Sequence, residues 1–228
     1  DKSRTTPGSG LGLSLVAAVV GSGIMADTLA RDAALALLAN TLATGAMLVV
    51  LITTLGPISG AHFNPAISLI LTLKGELPRR EAGLYALGQV AGGVAGTVIA
   101  HAMFGLPLLQ RSLNIRTGDA QWLSEGVASF GLAATILAGL RFDRKAIPWL
   151  VGLYICAAYW FTASTSFANP AVAIARSFTE TFSGIRTVDV PGFILAELAG
   201  ALCALAAMTW LLQAQVSDAA IQTAGEQP

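Results

Sequence analysis

The chain has 228 residues, of which 54% are hydrophobic and only 11% are charged. Soluble proteins contain roughly 45–50% apolar residues, glycine included, and about 25% charged residues. Thirteen basic residues balance thirteen acidic ones, so a basic surface for nucleic acid is not indicated. The low charge excludes an ordinary soluble globule, and the high apolar content excludes a disordered chain. The composition therefore predicts an integral membrane protein embedded in a lipid bilayer.

Six apolar stretches have about the length that a helix needs to cross the bilayer, which is about 20 residues. They are predicted at residues 10–25, 33–55, 82–104, 122–140, 147–165 and 190–213. The first is short, and a cleaved signal peptide is the alternative to a true span. Because the chain opens on Asp1, a missing or replaced beginning stays open. Six spans leave no room for a soluble domain, so residues 1–228 are predicted to form a single membrane domain with short tails.

The distribution of basic residues predicts how the spans are oriented. Six spans place both termini on one side of the membrane, where eight Lys and Arg residues fall, against five on the other side. The eight are Lys2, Arg4, Lys74, Arg79, Arg80, Arg141, Arg144 and Lys145, and the five are Arg31, Arg111, Arg116, Arg176 and Arg186. The positive-inside rule then places both termini in the cytoplasm. Cys156 and Cys203 fall inside apolar spans and are predicted to be packing residues rather than a disulfide.

The tripeptide Asn-Pro-Ala occurs twice, 105 residues apart, once in each hydrophobic half. The two copies are Asn64, Pro65 and Ala66, and Asn169, Pro170 and Ala171. About 25–28 residues after each copy, a polar residue lies among small residues, Gln89 in one half and Glu197 in the other. The halves are repeats of about residues 10–105 and 120–214. Since each contains three spans, the second must enter the membrane upside down, which is the inverted-repeat plan of many transport proteins.

Each Asn-Pro-Ala begins an apolar stretch that is too short to span, predicted as half-helices over residues 65–73 and 170–178. Asparagine is a good N-cap, and proline suits the first helical turn. We expect the two N-terminal ends to meet at the bilayer midplane, each carrying about half a positive charge. Non-helical backbone is tolerated there only when it is buried or lines a watery cavity. The pattern predicts a pore that passes neutral solutes and excludes ions, and two buried turns without a conduit are the alternative.

With these motifs the sequence resembles the aquaporin and aquaglyceroporin family (major intrinsic proteins) over about residues 10–213. The resemblance rests on the two motifs, on residues 60–63 before the first of them, and on the segments around Gln89, Glu197 and Glu125. It implies an all-α membrane protein with six transmembrane helices, two re-entrant half-helices and an inverted 3+3 repeat. It also implies one pore per subunit and a homotetramer.

The sequence departs from that family where solutes are selected. Most members carry an arginine directly after the second motif, and this chain has Val172. Counting without gaps from the two asparagines places the other constriction residues at Thr44, Ala157 and Ser166. This set contains no ring and no charge. Because arginine's bulk and donors are missing, the constriction is predicted to be wider and less polar than in a water-specific member.

Two nearby features could change that prediction. Arg176 lies four residues beyond Val172, about 6 Å along a helix, and could act as a displaced gate. The favoured interpretation is that Arg176 snorkels to the interface or pairs with Glu180. Tyr159, Trp160 and Phe161 could line the pore, but they are predicted to form an interfacial aromatic belt.

Carboxylates within predicted spans are candidates for function. The favoured hypothesis is that Glu125 and Glu197 support the re-entrant loops by accepting backbone N–H bonds, with Gln89 as the loop-supporting residue of the first half at the position equivalent to Glu197. Proton loading in a coupled carrier is the alternative, although a glutamine cannot carry the proton. The first repeat has no obvious counterpart of Glu125, since Gly8 and Gly12 bound that region. His62 is predicted to be a structural residue beside the first motif.

The resulting hypothesis is a passive channel for glycerol-like polyols, urea, neutral metalloid hydroxides and water. Bacterial relatives with an aliphatic residue after the second motif resemble a subgroup linked to arsenic handling, so arsenous acid is a candidate solute. A proton- or ion-coupled carrier is the alternative. An intramembrane protease built on Ser59 and one of the two histidines, His62 or His101, is disfavoured, because nothing orients such a pair. No metal site, cofactor or nucleic-acid partner is predicted, and the expected location is the bacterial plasma membrane.

Overall fold

The computed structural model describes the backbone of residues 9–225 and the side chains of residues 12–212. Lys2, Arg4 and Gly8, which entered the predictions above, lie outside the described residues. The described part is helical, in the order α1 Ser9–Leu29, α2 Ala33–Ser59, α3 Pro65–Leu73, α4 Arg79–Met103, α5 Asp119–Phe142, α6 Ile147–Phe161, α7 Pro170–Arg176, a 3-10 turn Thr187–Asp189, and α8 Val190–Gly225.

Five of these helices, α1, α2, α4, α5 and α8, are long and apolar enough to cross a membrane. Helix α6 is apolar but has only 15 residues. It ends earlier than the predicted span over residues 147–165, because the backbone becomes extended at Thr162, with φ −109° and ψ 137°. Residues 162–168 are used instead for the loop that leads to the second Asn-Pro-Ala motif.

Helices α3 and α7 are the two half-helices. They contain nine and seven residues, or about 14 and 11 Å at 1.5 Å per residue, so neither can cross a hydrocarbon core about 30 Å thick. Helix α3 has the predicted bounds, whereas α7 ends at Arg176, two residues before its predicted end. Both begin with the proline of their motif in the first turn.

The two halves use the same close helix contacts. Helix α1 packs along α4, and α5 packs along α8. A Cβ atom on Gly96 would lie 2.3 Å from the Leu13 carbonyl oxygen, and one on Gly200 would lie 2.1 Å from the Gly126 carbonyl oxygen. Only a glycine allows backbones to approach so closely, as small residues do in membrane helix pairs. These contacts hold the helices that flank each motif loop.

The connections between helices lie at two opposite ends of the bundle. We call the end with residues 74–78 and 143–146 the terminal face, because in chain order α1 begins and α8 ends on that side. The opposite end, with residues 30–32, 104–118 and 177–189, is the distal face. Helix α3 leads from the centre to the terminal face, and α7 leads from the centre to the distal face.

Residues 104–118, here called the connector, join the two repeats across the distal face. The connector is hydrogen-bonded to the segment after α7, with Gln110 N–H donating to the Phe178 carbonyl at 3.2 Å and Arg186 N–H donating to the Asn114 carbonyl at 2.8 Å. His101, at the end of α4, is fully buried and contacts Thr179 Oγ1 at 2.7 Å. The distal ends of both repeats are therefore tied together around the exit of α7.

Candidate functional site

The loops before the two motifs have the same backbone geometry. Left-handed residues occupy equivalent positions in both loops, four, three and one residues before the motif asparagine. The pairs are Gly60 and Thr165 (φ 77° and 64°), Ala61 and Ser166 (46° and 50°), and Phe63 and Ala168 (49° and 47°). Five of these six residues are not glycine and adopt a conformation that side chains disfavour. Such repeated strain persists only where the surroundings impose it.

Each motif asparagine caps its half-helix. The Asn64 Oδ1 atom accepts the Ala66 N–H at 2.9 Å, and the Asn169 Oδ1 atom accepts the Ala171 N–H at 3.0 Å. These bonds satisfy N–H groups that a helix start otherwise leaves without a partner. The side-chain oxygens are thus turned toward the helices, which leaves both NH₂ groups to point elsewhere.

The two asparagines also bind across the centre of the bundle. Asn64 Nδ2 donates to the Ala168 carbonyl at 2.6 Å, and Asn169 Nδ2 donates to the Phe63 carbonyl at 2.8 Å. The two half-helices therefore meet with their N-terminal ends facing each other. An amide NH₂ group has two hydrogens, so each asparagine keeps a second donor after making its cross-bond.

Two buried carboxylates support the second motif loop. Glu125 accepts the Phe167 N–H at 2.9 Å with one oxygen and the Ala168 N–H at 2.7 Å with the other. Glu197 accepts the Asn169 N–H at 3.0 Å. Both glutamates are fully buried. Three consecutive N–H groups of a left-handed loop therefore end on carboxyl oxygens, which explains how the loop keeps its conformation in a buried position.

The first motif loop is supported differently. Gln89 Nε2 lies 3.2 Å from Ser68 Oγ in half-helix α3, and His62 Nδ1 lies 3.2 Å from the same hydroxyl. Ser68 in turn donates to the Asn64 carbonyl at 3.1 Å. Unlike the two glutamates, Gln89 accepts no bond from the loop backbone, since its Oε1 has no partner among the described residues. Gln89 acts through a side chain of the half-helix, and His62 packs beside it against the Tyr85 ring.

One cavity of about 690 Å³ passes both motifs. Its wall includes Glu76 and Arg144 at the terminal face, Asn64 and Asn169 at the centre, and Arg176 toward the distal face. Residues from both repeats line it. The two motif asparagines thus both line this cavity.

Three of the four predicted constriction residues line this cavity, namely Thr44, Ser166 and Val172. The prediction for Ala157 is wrong, because Ala157 is exposed on the outside of α6. Helix α6 presents Ile155 and Tyr159 to the cavity instead. These two are one helical turn apart, and Ala157, two residues from each, points to the opposite side because each residue rotates by about 100°.

Tyr159 gives the cavity wall an aromatic ring, which the predicted set of constriction residues lacks. The side chain is 3% exposed, and its hydroxyl donates to Thr44 Oγ1 at 3.4 Å. Its neighbours Trp160 and Phe161 are 49% and 56% exposed. The three consecutive aromatic residues therefore do not act together as one belt, since Tyr159 points inward.

Arg176 also lies on the cavity, contrary to the prediction that it snorkels or pairs with Glu180. Its side chain is 2% exposed, its Nε donates to the Ser183 carbonyl, and its guanidinium carbon lies 3.4 Å from the centre of the Phe167 ring. Glu180 instead accepts the Leu113 N–H at 2.5 Å. The cavity wall therefore contains a charged side chain, which α7 carries one helical turn beyond Val172.

The connector contributes a residue to the site that no sequence pattern indicated. The guanidinium of Arg116 lies 5.1 Å from the centre of the Phe167 ring, and its nitrogens donate to the Gly184 carbonyl at 2.8 Å and the Ser164 carbonyl at 3.2 Å. Burial lowers the pKa of Arg116, and the nearby Glu125 carboxylate partly offsets this effect. A single arginine in a loop carries no signal of this kind, so the sequence could not have indicated it.

Ser59, which the protease alternative would use, forms hydrogen bonds within its own segment of the chain. Ser59 Oγ donates to the Leu55 carbonyl of its own helix at 3.4 Å and accepts the Ala61 N–H at 3.4 Å. Within residues 12–212, no group of three or more His, Cys, Asp and Glu side chains is placed to hold a metal ion.

Comparison with known proteins identifies the class to which this arrangement belongs. The family model described as "Major intrinsic protein" matches residues 11–145. This match covers more than half of the chain, and it includes the first motif and the helices that flank it. The chain belongs to the major intrinsic protein family, as the paired motifs indicated.

Particular relatives narrow the comparison. The chain is 71% identical over 159 residues to the aquaglyceroporin AqpS of Rhizobium meliloti (strain 1021), covering 70% of this chain and 68% of that protein. It is 31% identical over 154 residues to the glycerol uptake facilitator protein of Bacillus subtilis (strain 168), covering 60% of this chain and 54% of that protein. The aquaglyceroporin from Plasmodium falciparum matches in fold, with a TM-score of 0.68 and 20% identity, over 89% and 92% of the two chains.

Proposed function

We propose that this protein is a passive transmembrane channel for small neutral solutes, with glycerol-like polyols, urea and water among them. The observation that carries the proposal is the continuous cavity on which both motif asparagines lie between the two half-helix ends. Membership of the major intrinsic protein family and the similarity to two proteins named for glycerol support it. The residues act by binding and positioning a solute, and no catalysed reaction is proposed.

The wall of the cavity suits a molecule with hydroxyls on one side and carbon on the other. Thr44, Tyr159 and Ser166 bring hydroxyl groups, and Leu48 and Ile155 bring apolar surface. A polyol can bond to the first set while its CH groups contact the second. This matches the general design of small-molecule sites, which combine an apolar lining with a few placed polar groups.

Ions and protons are excluded at the paired half-helix ends. The oxygens of Asn64 and Asn169 are occupied by capping bonds, so their NH₂ groups face a solute as donors. A cation there meets the positive ends of the half-helices and few acceptors, whereas a neutral hydroxyl accepts the bond. The Asn-Pro-Ala motifs are therefore the proposed pore centre, and Thr44, Ser166, Val172 and Tyr159 are the proposed wall of the constriction.

Neutral metalloid hydroxides are a proposed further solute class. Arsenous acid is uncharged near neutral pH and presents three hydroxyls on one centre, much as glycerol presents three on a chain. The same hydroxyl-lined wall would accept it. The absence of an arginine at Val172, directly after the second motif, is the sequence feature that supports this solute class.

Light scattering of proteoliposomes in a stopped-flow instrument tests the channel. An impermeant sugar step should shrink the vesicles, and an inward glycerol gradient should swell them again, both much faster than in empty vesicles. Urea and arsenous acid gradients should give the same swelling. Val172→Trp should abolish the acceleration by filling the cavity, whereas Val188→Trp, at a position 63% exposed on the distal face, should not.

A flux that stops without a pH or ion gradient would overturn the passive channel in favour of a coupled carrier. A wild-type protein that accelerates neither water nor glycerol would also overturn it. Accelerated shrinkage in the sugar step without accelerated swelling in the glycerol gradient would show a channel for water and overturn the proposed permeation of glycerol. Each outcome is read on the same vesicles, so the amount of protein is constant across the comparison.

Orientation, assembly and location are part of the same proposal. We propose that the terminal face is cytoplasmic, since Lys74, Arg144 and Lys145 lie there. The location is a bacterial plasma membrane, and each subunit of a homotetramer contains its own pore. Fusions of a cytoplasmic and a periplasmic reporter to the C-terminus test the orientation. Mass measurement in detergent tests the tetramer.

A further inference from the structure

The part of the cavity between the motif asparagines and the terminal face, here called the terminal vestibule, has a wide apolar wall. Helices α2, α5 and α6 form this wall with Ile52, Pro57, Ile136, Leu140, Pro148 and Val151. These side chains carry no polar atom. A small polyol needs hydrogen-bonding partners and gains little from such a surface. The terminal vestibule therefore offers apolar contact that passage of a polyol does not require.

Two cationic side chains lie at the mouth of the terminal vestibule. Arg144 and Lys145, in the turn between α5 and α6, both line the cavity and are exposed to solvent. The ion pairs formed within residues 12–212 include neither of them. Their charges are therefore available to a ligand that reaches the mouth from the terminal side.

The acidic residues at the same mouth are engaged elsewhere. Asp143, which precedes the two cations, turns its carboxylate to the backbone, where Oδ1 accepts the Lys145 N–H at 2.9 Å. Glu76 lines the cavity and pairs with Lys74 at 2.9 Å. The turn between α5 and α6 thus carries two positive charges against one negative charge, and the negative one holds the turn in shape.

An apolar wall with cations at one end suits an amphipathic anion. Its apolar body can contact the wall, while its acidic group contacts Arg144 and Lys145 through charge-assisted hydrogen bonds. The whole cavity of about 690 Å³ lies within the size range of small-molecule sites, which combine an apolar lining with a few placed polar groups. An organic cation would meet like charge at the mouth, and an inorganic anion would leave the apolar wall unused.

We propose that the terminal vestibule binds a small organic anion, an aryl or short alkyl carboxylate or sulfonate, and that the bound anion blocks the channel. The acidic group binds Arg144 and Lys145, and the apolar body lies along the wall toward the motif asparagines. Block follows because the ligand and the permeating solute use the same cavity. This inference rests on the proposed channel function and adds an inhibitory site at its terminal mouth.

The first test measures glycerol flux in proteoliposomes with naphthalenesulfonate on both sides of the membrane. This probe is a permanent anion with an apolar body, and the wild-type flux should fall as its concentration rises. Two matched probes separate the requirements of the site. Naphthylmethylammonium has the same ring with the opposite charge, and inorganic sulfate has the charge without the ring. Neither should inhibit at the concentrations at which naphthalenesulfonate does.

The second test locates the site by substitution. Arg144→Ala and Lys145→Ala should each raise the half-inhibitory concentration of naphthalenesulfonate about threefold, as expected for the loss of one partly exposed ion pair. Arg141→Ala is the matched control, because Arg141 is an exposed arginine at the end of α5 that lies outside the cavity wall. Its half-inhibitory concentration should equal that of the wild type. Each inhibited flux is divided by the uninhibited flux of the same variant, so the amount of folded channel cancels.

The outcomes distinguish this site from the channel itself. Wild-type glycerol flux that naphthalenesulfonate does not reduce would overturn the inference and leave the channel function standing. Equal inhibition by naphthylmethylammonium, or unchanged half-inhibitory concentrations in both Arg144→Ala and Lys145→Ala, would also overturn it. Absence of flux in the uninhibited wild type would instead remove the proposed function on which the inference rests.

Discussion

At the scale of single residues, the second motif loop depends on a hydrogen-bond acceptor for each of its buried backbone N–H groups. Glu125 uses both carboxylate oxygens, one for Phe167 N–H and one for Ala168 N–H. Glu197 uses one oxygen, for Asn169 N–H, and its other oxygen has no partner among the described residues. The loop therefore needs two acceptor oxygens from Glu125 but only one from Glu197.

This difference predicts opposite results for two equivalent substitutions. In Glu125→Gln, an amide NH₂ would face a backbone N–H, so one buried donor loses its acceptor at a cost of about 1–3 kcal/mol. In Glu197→Gln, the amide oxygen can still accept the Asn169 N–H. We expect a melting temperature several degrees lower, with reduced glycerol flux, in Glu125→Gln, and near wild-type behaviour in Glu197→Gln. Equal losses in both variants, measured by thermal unfolding in detergent, would contradict this account.

The left-handed positions give a second prediction at the same scale. Thr165 has φ 64° where the first loop has Gly60 with φ 77°. A β-branched residue is disfavoured in this conformation by about 1–2 kcal/mol, part of which glycine loses through its greater freedom in the unfolded chain. Thr165→Gly should therefore raise the unfolding free energy by up to about 1 kcal/mol.

The reverse change in the other loop serves as the comparison. Gly60→Thr should lower the stability, because a Cβ there would lie 3.1 Å from His62 Nε2 in addition to the strained φ. Thermal unfolding of the two variants side by side measures both effects. A lower melting temperature for Thr165→Gly would show that the threonine side chain stabilises the loop more than its backbone strains it.

At the scale of helices, close backbone contact decides how each repeat packs. Helices α5 and α8 approach so closely that a Cβ on Gly200 would lie 2.1 Å from the Gly126 carbonyl oxygen. Glu125 and Glu197, which support the second loop, lie next to this contact on the same two helices. The position of the loop therefore depends on the spacing of α5 and α8.

Gly200→Ala should push α5 and α8 apart and destabilise the protein by about 1–3 kcal/mol, as overpacking does. Glycerol flux should fall with it, since the carboxylates move away from the loop. Gly83→Ala in α4 is the matched control, because no atom lies within 4 Å of its Cβ. Helix propensity predicts a gain of up to about 1 kcal/mol there. Unfolding temperatures of the two variants and the wild type in the same detergent measure these effects. An unchanged unfolding temperature in Gly200→Ala would mean that α5 and α8 can move apart without loss of stability.

At the scale of the whole molecule, the connector joins the repeats and fastens the distal face. Asp189 accepts the backbone N–H of Arg116 at 2.9 Å and pairs with Arg186 at 2.8 Å. Asp189 thus provides one link between the connector and the start of α8. Through Arg116 the same link reaches the Phe167 ring on which Arg176 lies.

Removal of the link should loosen the connector without unfolding the bundle. In Asp189→Ala, we expect trypsin added on the distal side to cleave the connector, at Arg111 or Arg116, several times faster than in the wild type. Asp27→Ala, an exposed aspartate near the end of α1, is the matched control and should be cleaved at the wild-type rate. Equal cleavage in all three proteins, read by mass spectrometry of the fragments, would argue against an anchoring role for Asp189.

The amino-acid sequence by itself determined the features that depend on local patterns. Hydropathy marked the spanning segments, and Asn-Pro-Ala marked the starts of α3 and α7 because capping and the first-turn proline act within a few residues. The motif occurs once in each of two repeats, and each repeat contains three spans. Because three is an odd number, the second repeat must be inverted relative to the first. Glu125 was recognised as a loop support from its resemblance to a family pattern rather than from spacing.

Only the tertiary structure decided which side chains reach the cavity. In a membrane protein the lipid-facing and interior faces of a helix are both apolar, so hydropathy does not reveal the rotation of α6, and Tyr159 rather than Ala157 points inward. Arg176 is buried because Phe167 and the Ser183 carbonyl, from separate segments, meet it there. Arg116 joins them from the connector. Contacts between residues distant in sequence depend on how helices and loops are arranged together, which no local pattern contains.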